Sequence, residues 1–190
     1  MGSVLFSING GGRARSSWGW SRILRWSSFL VALAAAGTGM EKAKMELRLE
    51  SGSALELRAT LVNRGAGAAA VLHNDNLQPS RVVLRNALGV EVKPFDNRTR
   101  AKFDRTVRAA MFRQVPPGGG LAVGAGRFRK ASDGKYQLDW GPYHYGELAP
   151  GAWQVSAVFE AAIDSPTDGG KVAGAWKGTV TAEAVTVRLP

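Results

Sequence analysis

The chain has 190 residues, of which 45% are hydrophobic and 21% are charged, so it is long enough for one packed domain but not for two domains with separate cores. It contains no cysteine and two histidines, His73 and His144, which excludes disulfides, thiolate nucleophiles, iron–sulfur clusters and cysteine-ligated zinc. The formal net charge of +10 suits an acidic partner, but charge of this kind bears on association rather than on fold.

Residues 1–39 differ from the rest of the chain. They contain no acidic residue, four arginines, three of the six tryptophans and an apolar stretch at 29–36. A basic start, a short apolar stretch and the small residues Ala34-Ala35-Ala36 are the parts of a secretory signal peptide, so we predict export to the periplasm or the medium. Two alternatives stay open. Translation from Met40 or Met45 would give a cytoplasmic protein, and an uncleaved leader would lie at a membrane surface through its tryptophans.

From residue 45 onward, hydrophobic residues alternate with polar ones, which is typical of strands that bury one face. Two such strands are predicted at 45–49 and 55–61, with a tight turn at Ser51-Gly52-Ser53 between them. Turn-forming residues bound the further predicted strands, which are 68–73, 81–86, 89–94, 105–115, 121–130 and 135–140. A helical turn near 103–112 competes with one of them, because hydrophobic residues recur there at every fourth position.

The carboxyl-terminal part predicts two long strands. Leu148-Ala149-Pro150-Gly151 is typical of a turn, and the strand after it places four residues on one face, namely Trp153, Val155, Ala157 and Phe159. In the final strand the apolar face changes between Ala182 and Val185, which predicts a β-bulge. About eight to ten antiparallel strands with closely spaced turns predict an all-β, immunoglobulin-like antiparallel β-sandwich over residues 45–190.

Four phrases of this sequence resemble the strand and turn phrases of bacterial Ig-like accessory domains. They are Leu61-Val62-Asn63-Arg64-Gly65, Pro116-Pro117-Gly118, Leu148-Ala149-Pro150-Gly151-Ala152-Trp153 and Trp176-Lys177-Gly178-Thr179-Val180. The two domain types that these phrases resemble are the intracellular proteinase inhibitor family and the β-sandwich prodomains of deuterolysin-type metallopeptidases. The resemblance covers residues 45–190 and implies an interaction or inhibitory module. Its motifs include no catalytic group, so no functional residue is transferred from it.

Catalytic and cofactor motifs are weak in this sequence. Residues 65–70 fit G-x-G-x-x-A, but a turn-rich stretch follows where a dinucleotide-binding helix would have to run. The two histidines lie in distant segments, and no serine lies in a G-x-S-x-G elbow. We therefore predict a protein that is not an enzyme and has no cofactor and no metal. The polar clusters at 74–76 and 164–169 are interpreted as Asx turns, with calcium sites as the alternative.

Two groups of residues are candidate binding sites. The first is a run of basic residues that suits phosphates or an acidic protein, with a solvated strand face as the alternative; it comprises Arg98, Arg100, Lys102, Arg105 and Arg108. Arg127 and Arg129 lie in a second basic stretch that is a candidate extension of it. The second group is aromatic, and it suits a sugar or peptide if exposed and the core if buried; it comprises Trp140, Tyr143 and Tyr145.

These features predict a non-catalytic protein-binding or accessory module, with a proteinase inhibitor-like domain as its most specific form. The expected partner is a protein, either acidic or a protease. The alternative is a carbohydrate-binding or metal-dependent domain associated with an enzyme. No nucleic-acid partner is expected, and membrane contact is expected only through an uncleaved leader.

Overall fold

The computed structural model describes residues 43–52, 55–77, 79–100 and 105–190, and for residues 99 and 100 it describes the backbone alone. The predicted leader at 1–39 lies outside these residues. Within them, we find no helix whose length and hydrophobicity would allow it to span a membrane.

Short strands dominate the described residues, and 3-10 helices at Asn97–Arg100 and Ala109–Met111 interrupt them. The strands are β1 (Met45–Ser51), β2 (Glu56–Asn63), β3 (Ala69–Leu72), β4 (Arg81–Arg85), β5 (Glu91–Val92), β6 (Phe95–Asp96), β7 (Phe112–Val115), β8 (Gly120–Lys130), β9 (Tyr136–Trp140), β10 (Tyr143–Leu148), β11 (Gly151–Ala161), β12 (Gly178–Thr181) and β13 (Val185–Leu189).

The strands form two large antiparallel sheets and one small one. The first large sheet has the order β1-β2-β8-β9-β10-β6, and the second has the order β12-β11-β4-β5 with β13 also paired to β11. Buried side chains from both sheets belong to one hydrophobic core, for example Leu57 and Leu138 from the first and Leu84 and Phe159 from the second. The predicted all-β antiparallel sandwich is therefore confirmed.

The period-two pattern explains why these segments are strands. In β11 the predicted inward face is observed, because Trp153, Val155, Ala157 and Phe159 are buried while Gln154 and Glu160 are exposed. In β1 the buried residues alternate with exposed charged ones in the same way. Strands of this kind are stabilised mainly by removing one apolar face from water.

The bulge predicted in the last strand is confirmed. Strands β12 and β13 pair with successive parts of β11, so that Thr181 lies opposite Val158 and Val185 lies opposite Val155. Three residues therefore separate the two pairs on one strand, against two on β11. The extra residue moves the inward face from even to odd positions, as a β-bulge does.

The strand predicted at 105–115 begins later than expected, at Phe112, after the 3-10 helix Ala109–Met111. Before this 3-10 helix, both backbone groups of Val107 form hydrogen bonds with Thr167, which lies in a distant loop. The amide of Val107 donates to Thr167 Oγ1 (2.8 Å), and the carbonyl of Val107 accepts from the Thr167 amide (2.8 Å). Because loop contacts satisfy this backbone, it does not join a sheet. Strand β10 was not predicted.

Two of the phrases that carry the family resemblance meet in the structure. Asn63, at the end of β2, is fully buried, and its Nδ2 donates to the carbonyls of Gly67 (2.7 Å) and Val115 (3.0 Å). Its own carbonyl accepts from the amide of Gly118 (2.8 Å). Asn63 thus joins the turn after β2 to the Pro116-Pro117-Gly118 turn, which explains the presence of a polar residue in the interior.

Candidate binding surface

Trp140, a candidate member of an exposed aromatic surface, is fully buried. Its indole Nε1 donates to Ser80 Oγ (3.0 Å), and Ser80 Oγ donates to the carbonyl of Val123 (2.6 Å). Val123 is the extra residue of a second β-bulge, because Ala59 lies opposite Gly124 and Thr60 lies opposite Ala122. The Ser80 hydroxyl therefore satisfies both the indole Nε1 and the carbonyl of the bulge, and Trp140 is a core residue.

Two glycines of β8 make room for this indole ring. A Cβ atom at Gly124 would overlap the Trp140 ring and Ser80 Oγ, and one at Gly126 would lie 3.0 Å from Trp140 Cε3. Strand β8 thus provides a backbone surface without side chains, on which the ring lies. The sequence position of Trp140 gave no sign of this, because the glycines come from a different strand.

Tyr145 is also fully buried. Its hydroxyl donates to the carbonyl of Val82 on the facing sheet, and burial raises the pKa of its phenol above the ordinary value. Tyr143 is partly buried. The three rings therefore form no common exposed surface, and the core-packing alternative describes Trp140 and Tyr145.

Arg98 is held by its own neighbours. Its Nη2 donates to Asp96 Oδ2 (2.7 Å) and to the Tyr143 hydroxyl (3.1 Å), and its Nε donates to Asp96 Oδ1 (3.1 Å). The guanidinium lies 5.4 Å from the centre of the Tyr143 ring. These bonds hold the pKa of the Asp96 carboxyl below its usual value. Much of the Arg98 charge is therefore used within the chain rather than offered to a partner.

Of the other predicted basic residues, only some have side chains that the structure describes. Arg105 and Arg108 are exposed, whereas the Arg100 side chain and all of Lys102 lie outside the described part. The segment 93–113 carries seven basic and two acidic residues, so its positive charge is a property of the sequence. A single basic surface made of all five residues stays a prediction.

The second basic stretch, on β8, has acidic neighbours on both adjacent strands. Arg127 lies between Glu56 and Asp139 on the neighbouring strands, and Arg129 Nη1 lies 3.9 Å from Asp139 Oδ2. Because acids alternate with these arginines, this face is mixed in charge. A mixed, exposed face is the pattern of a solvated sheet surface.

The polar side chains that were considered as metal ligands form hydrogen bonds within the chain. Asn74 Oδ1 accepts from the amides of Asn76 (3.0 Å) and Leu77 (3.2 Å), and Asp168 Oδ1 accepts from the Gly170 amide (3.0 Å). These are Asx turns, as the sequence indicated. His73 Nε2 lies 3.1 Å from the Ala122 carbonyl, while His144 Nδ1 lies 2.7 Å from Asp139 Oδ1. No cluster of three or more potential ligands occurs among the residues described.

Three large hydrophobic residues between 88 and 95 are exposed. Leu88 is 87% exposed, Val90 is 58% exposed and Phe95 is 42% exposed. Leu88 and Val90 lie in the turn that joins β4 to β5, residues 86–90, which we call the β4–β5 tip. Phe95 follows in β6. The sequence predicted a strand over 89–94, which includes Val90. The sequence of a strand does not show whether such an apolar residue points inward or outward.

The β4–β5 tip is held by four hydrogen bonds around Asn86. Asn86 Oδ1 accepts from the amides of Leu88 (3.0 Å) and Val90 (2.9 Å), the Asn86 carbonyl accepts from Gly89 (2.9 Å), and the Asn86 amide donates to Val90 (3.1 Å). Asn86 and Val90 bracket a loop of three residues, 87–89. Gly89, the last of them, has φ of 77°, the left-handed conformation that such a loop requires. The tip therefore presents Leu88 on an ordered backbone.

The β8–β9 turn uses nearly the same hydrogen bonds with a polar residue in place of leucine. The Ala131 amide donates to Lys135 (2.8 Å), the Ala131 carbonyl accepts from Gly134 (3.1 Å), and Gly134 has φ of 83°. Asp133 occupies the position that corresponds to Leu88, and its Oδ1 accepts from the Lys135 amide (3.0 Å). The turn geometry therefore does not require leucine.

Comparison of this chain with models of known families, with curated proteins and with solved structures found no match.

Proposed function

We propose that this chain is a non-catalytic protein-binding module and that the β4–β5 tip is the centre of its contact surface. The observation that carries the proposal is the 87% exposure of Leu88 on a turn fixed by four hydrogen bonds. An exposed leucine gains about 1.5–3 kcal/mol when a partner buries it fully. The β8–β9 turn supports the proposal, because it has a similar geometry and carries Asp133 instead.

Order in the tip favours binding. A flexible loop loses conformational entropy when it binds, whereas a loop already held by Asn86 loses little. The same hydrogen bonds keep Leu88 away from the core, so its apolar surface stays available to a partner. An apolar side chain on a backbone that is already ordered can therefore be buried by a partner at little cost in conformational entropy.

The charge of the neighbouring segment indicates the partner. Lys93 and Arg105 are exposed, and they belong to a segment with an excess of basic residues that begins three residues after Val90. A partner with an apolar pocket and an acidic rim is complementary to this arrangement. The resemblance to proteinase inhibitor sandwiches makes a peptidase the first partner class to test.

The test compares the wild type with Leu88→Asp and with the control Asp133→Asn, which alters the tip of the matching β8–β9 turn. Each protein is assayed for inhibition of representative serine, cysteine, aspartic and metallo-peptidases. It is also crosslinked in extracts of the organism that encodes it, at low and at about 0.15 M salt.

We expect Leu88→Asp to weaken the complex about tenfold to a hundredfold, which corresponds to the loss of one buried leucine. The control is expected to bind as the wild type does. Asp133 shows that the turn accepts an aspartate, so a folding defect is not expected in Leu88→Asp, and an unchanged melting temperature verifies this. Equal binding by Leu88→Asp and the wild type would remove the tip from the contact surface. Binding of neither a peptidase nor any other protein would overturn the function.

A further inference from the structure

The edges of the two large sheets are not equally protected against pairing with another strand. Strands β5 and β6 have two residues each and are joined by Lys93-Pro94. The edge formed by β12 and β13 is interrupted by the bulge at 182–184. Short strands, proline, lysine and bulges are the usual devices that block edge pairing. Strand β1 has seven residues, no proline, no glycine and no bulge.

The backbone of β1 has hydrogen-bonding groups on its outer side. The Arg64 amide donates to the Lys44 carbonyl (2.6 Å), and the Gly52 amide donates to the Glu56 carbonyl (2.8 Å), so the even-numbered residues of this strand bond to β2. In an antiparallel pair the residues between them point their amides and carbonyls away from the partner. Within the described part of the chain, these outward groups of Met45, Leu47 and Leu49 have no other hydrogen-bond partner.

The exposed side chains of β1 are complementary to those of a second β1. Together with Lys44, which directly precedes β1, they alternate in charge, and the four residues are Lys44, Glu46, Arg48 and Glu50. In an antiparallel pair of two copies with Leu47 opposite Leu47, Lys44 lies opposite Glu50 and Glu46 lies opposite Arg48. Each of the four cross-strand pairs is then between opposite charges, and such pairs stabilise a sheet.

Moving the centre of the pairing by one residue, which slides the two strands past each other by two residues, removes this agreement. With Arg48 opposite Arg48, Glu46 lies opposite Glu50, so three pairs join like charges. Pairing with Glu46 opposite Glu46 also sets Lys44 against Arg48. The side-chain order of β1 therefore favours one pairing over its neighbours, which is how register is specified in a sheet.

We propose that this chain forms a homodimer through β1, with two copies paired antiparallel about Leu47 so that their six-stranded sheets become continuous. The β4–β5 tip belongs to another part of the chain, so this proposal does not depend on the proposed function. In the dimer the outward amides and carbonyls of Met45, Leu47 and Leu49 are satisfied by the second copy. The residual exposure of these side chains, 4–8%, falls because they meet one another across the twofold axis.

Sedimentation velocity of the full chain between about 1 and 100 µM tests the dimer. Three variants test its register, namely Arg48→Glu, the double variant Glu46→Arg/Arg48→Glu and the control Arg129→Glu, which makes the same charge change on β8. Arg48→Glu puts like charges at two symmetry-related pairs, so we expect the dissociation constant to rise at least about tenfold. The double variant exchanges the two charges and restores opposite pairs between the copies. It is therefore expected to dimerise more tightly than Arg48→Glu, although it loses the ion pair between Arg64 Nε and Glu46 Oε2 (2.9 Å) within each copy.

Hydrogen exchange supplies a second measurement. The amides of Met45, Leu47 and Leu49 are expected to exchange more slowly as the concentration rises, whereas those of Glu46 and Arg48, which bond to β2 in the single copy, are expected to change little. A monomer at every concentration would overturn the proposal and leave this edge to a strand of another protein. A dimer that Arg48→Glu and Arg129→Glu weaken equally, or that the double variant fails to restore, would overturn pairing about Leu47.

Discussion

Trp140 and Ser80 lie 60 residues apart in the chain and are joined by a 3.0 Å hydrogen bond inside the sandwich. The Ser80 hydroxyl in turn donates to the Val123 carbonyl (2.6 Å). Val123 is the extra residue of the bulge in β8, so it is not paired with a residue of β2. One hydroxyl therefore serves a buried donor and a buried acceptor. Because both groups are shielded from water, they depend on this single side chain.

Ser80→Ala is expected to lower the free energy of unfolding by about 1–3 kcal/mol, because it leaves the Trp140 Nε1 and the Val123 carbonyl without a partner. Urea denaturation measures the change. The control is Ser165→Ala, since Ser165 is exposed and its Oγ donates to the carboxylate of Asp164, and its effect is expected to stay within about 0.5 kcal/mol. Equal effects in the two variants would show that the buried network adds nothing to stability.

Gly124→Ala is expected to destabilise the protein by about 1–3 kcal/mol, because the added methyl overlaps the Trp140 ring and Ser80 Oγ. The matched control is Gly52→Ala, where the nearest atom to an added Cβ is Glu56 Cβ at 3.6 Å. Thermal unfolding of both variants checks the expectation. A melting temperature of Gly124→Ala at or above that of the control would mean that the indole does not lie on this backbone.

Trp153→Ala is expected to cost about 3–5 kcal/mol, the usual penalty for truncating a large core aromatic residue. Trp153 is 6% exposed, lies opposite Val187 on β13 and donates from Nε1 to the Ala149 carbonyl (2.9 Å). Guanidinium denaturation followed by circular dichroism measures the loss. A variant as stable as the wild type would contradict the core position of this strand.

Local patterns were enough to predict much of the fold. Alternation revealed β1, β2 and β11 because each buries one face, and the change of face between Ala182 and Val185 revealed the bulge. These signals lie within a single strand and its own period. The start of β7 was missed because the contact that displaces it, between Val107 and Thr167, joins distant segments.

The binding candidates were harder to predict for the same reason. Whether Trp140 is buried depends on Gly124 and Gly126 of another strand, and Arg98 is neutralised by Asp96 only after the chain turns into the 3-10 helix at Asn97–Arg100. Leu88 is exposed because it lies in the middle of the turn at 86–90. The sequence does not show whether an apolar residue beside a predicted strand belongs to the turn or to the strand. Composition therefore identifies a basic segment in the sequence but gives neither its contacts within the chain nor its partner.

Export is a prediction that concerns residues outside the described part. If the leader is a signal peptide, the mature protein should begin between Gly37 and Glu41, directly after Ala34-Ala35-Ala36. Amino-terminal sequencing of the native protein, together with cell fractionation, provides the test. A chain that begins at Met1 would contradict cleavage, and a chain that begins at Met40 and remains in the cytoplasm would support late initiation.

The Asp96–Arg98 pair is expected to make stability depend on pH at the acid end. The hydrogen bond from Arg98 lowers the pKa of Asp96 in the folded protein, so its carboxylate stabilises the fold above the pKa of the unfolded chain, about 3.9. This contribution is lost as the pH falls from about 4 through the lowered value. Asp96→Asn should therefore be less stable than the wild type at pH 7, and the difference should shrink by pH 2. Urea denaturation at both pH values, with the exposed Asp75→Asn as the control for removing a carboxylate, measures it. A difference that is constant with pH, or equal in the two variants, would contradict the role of the pair.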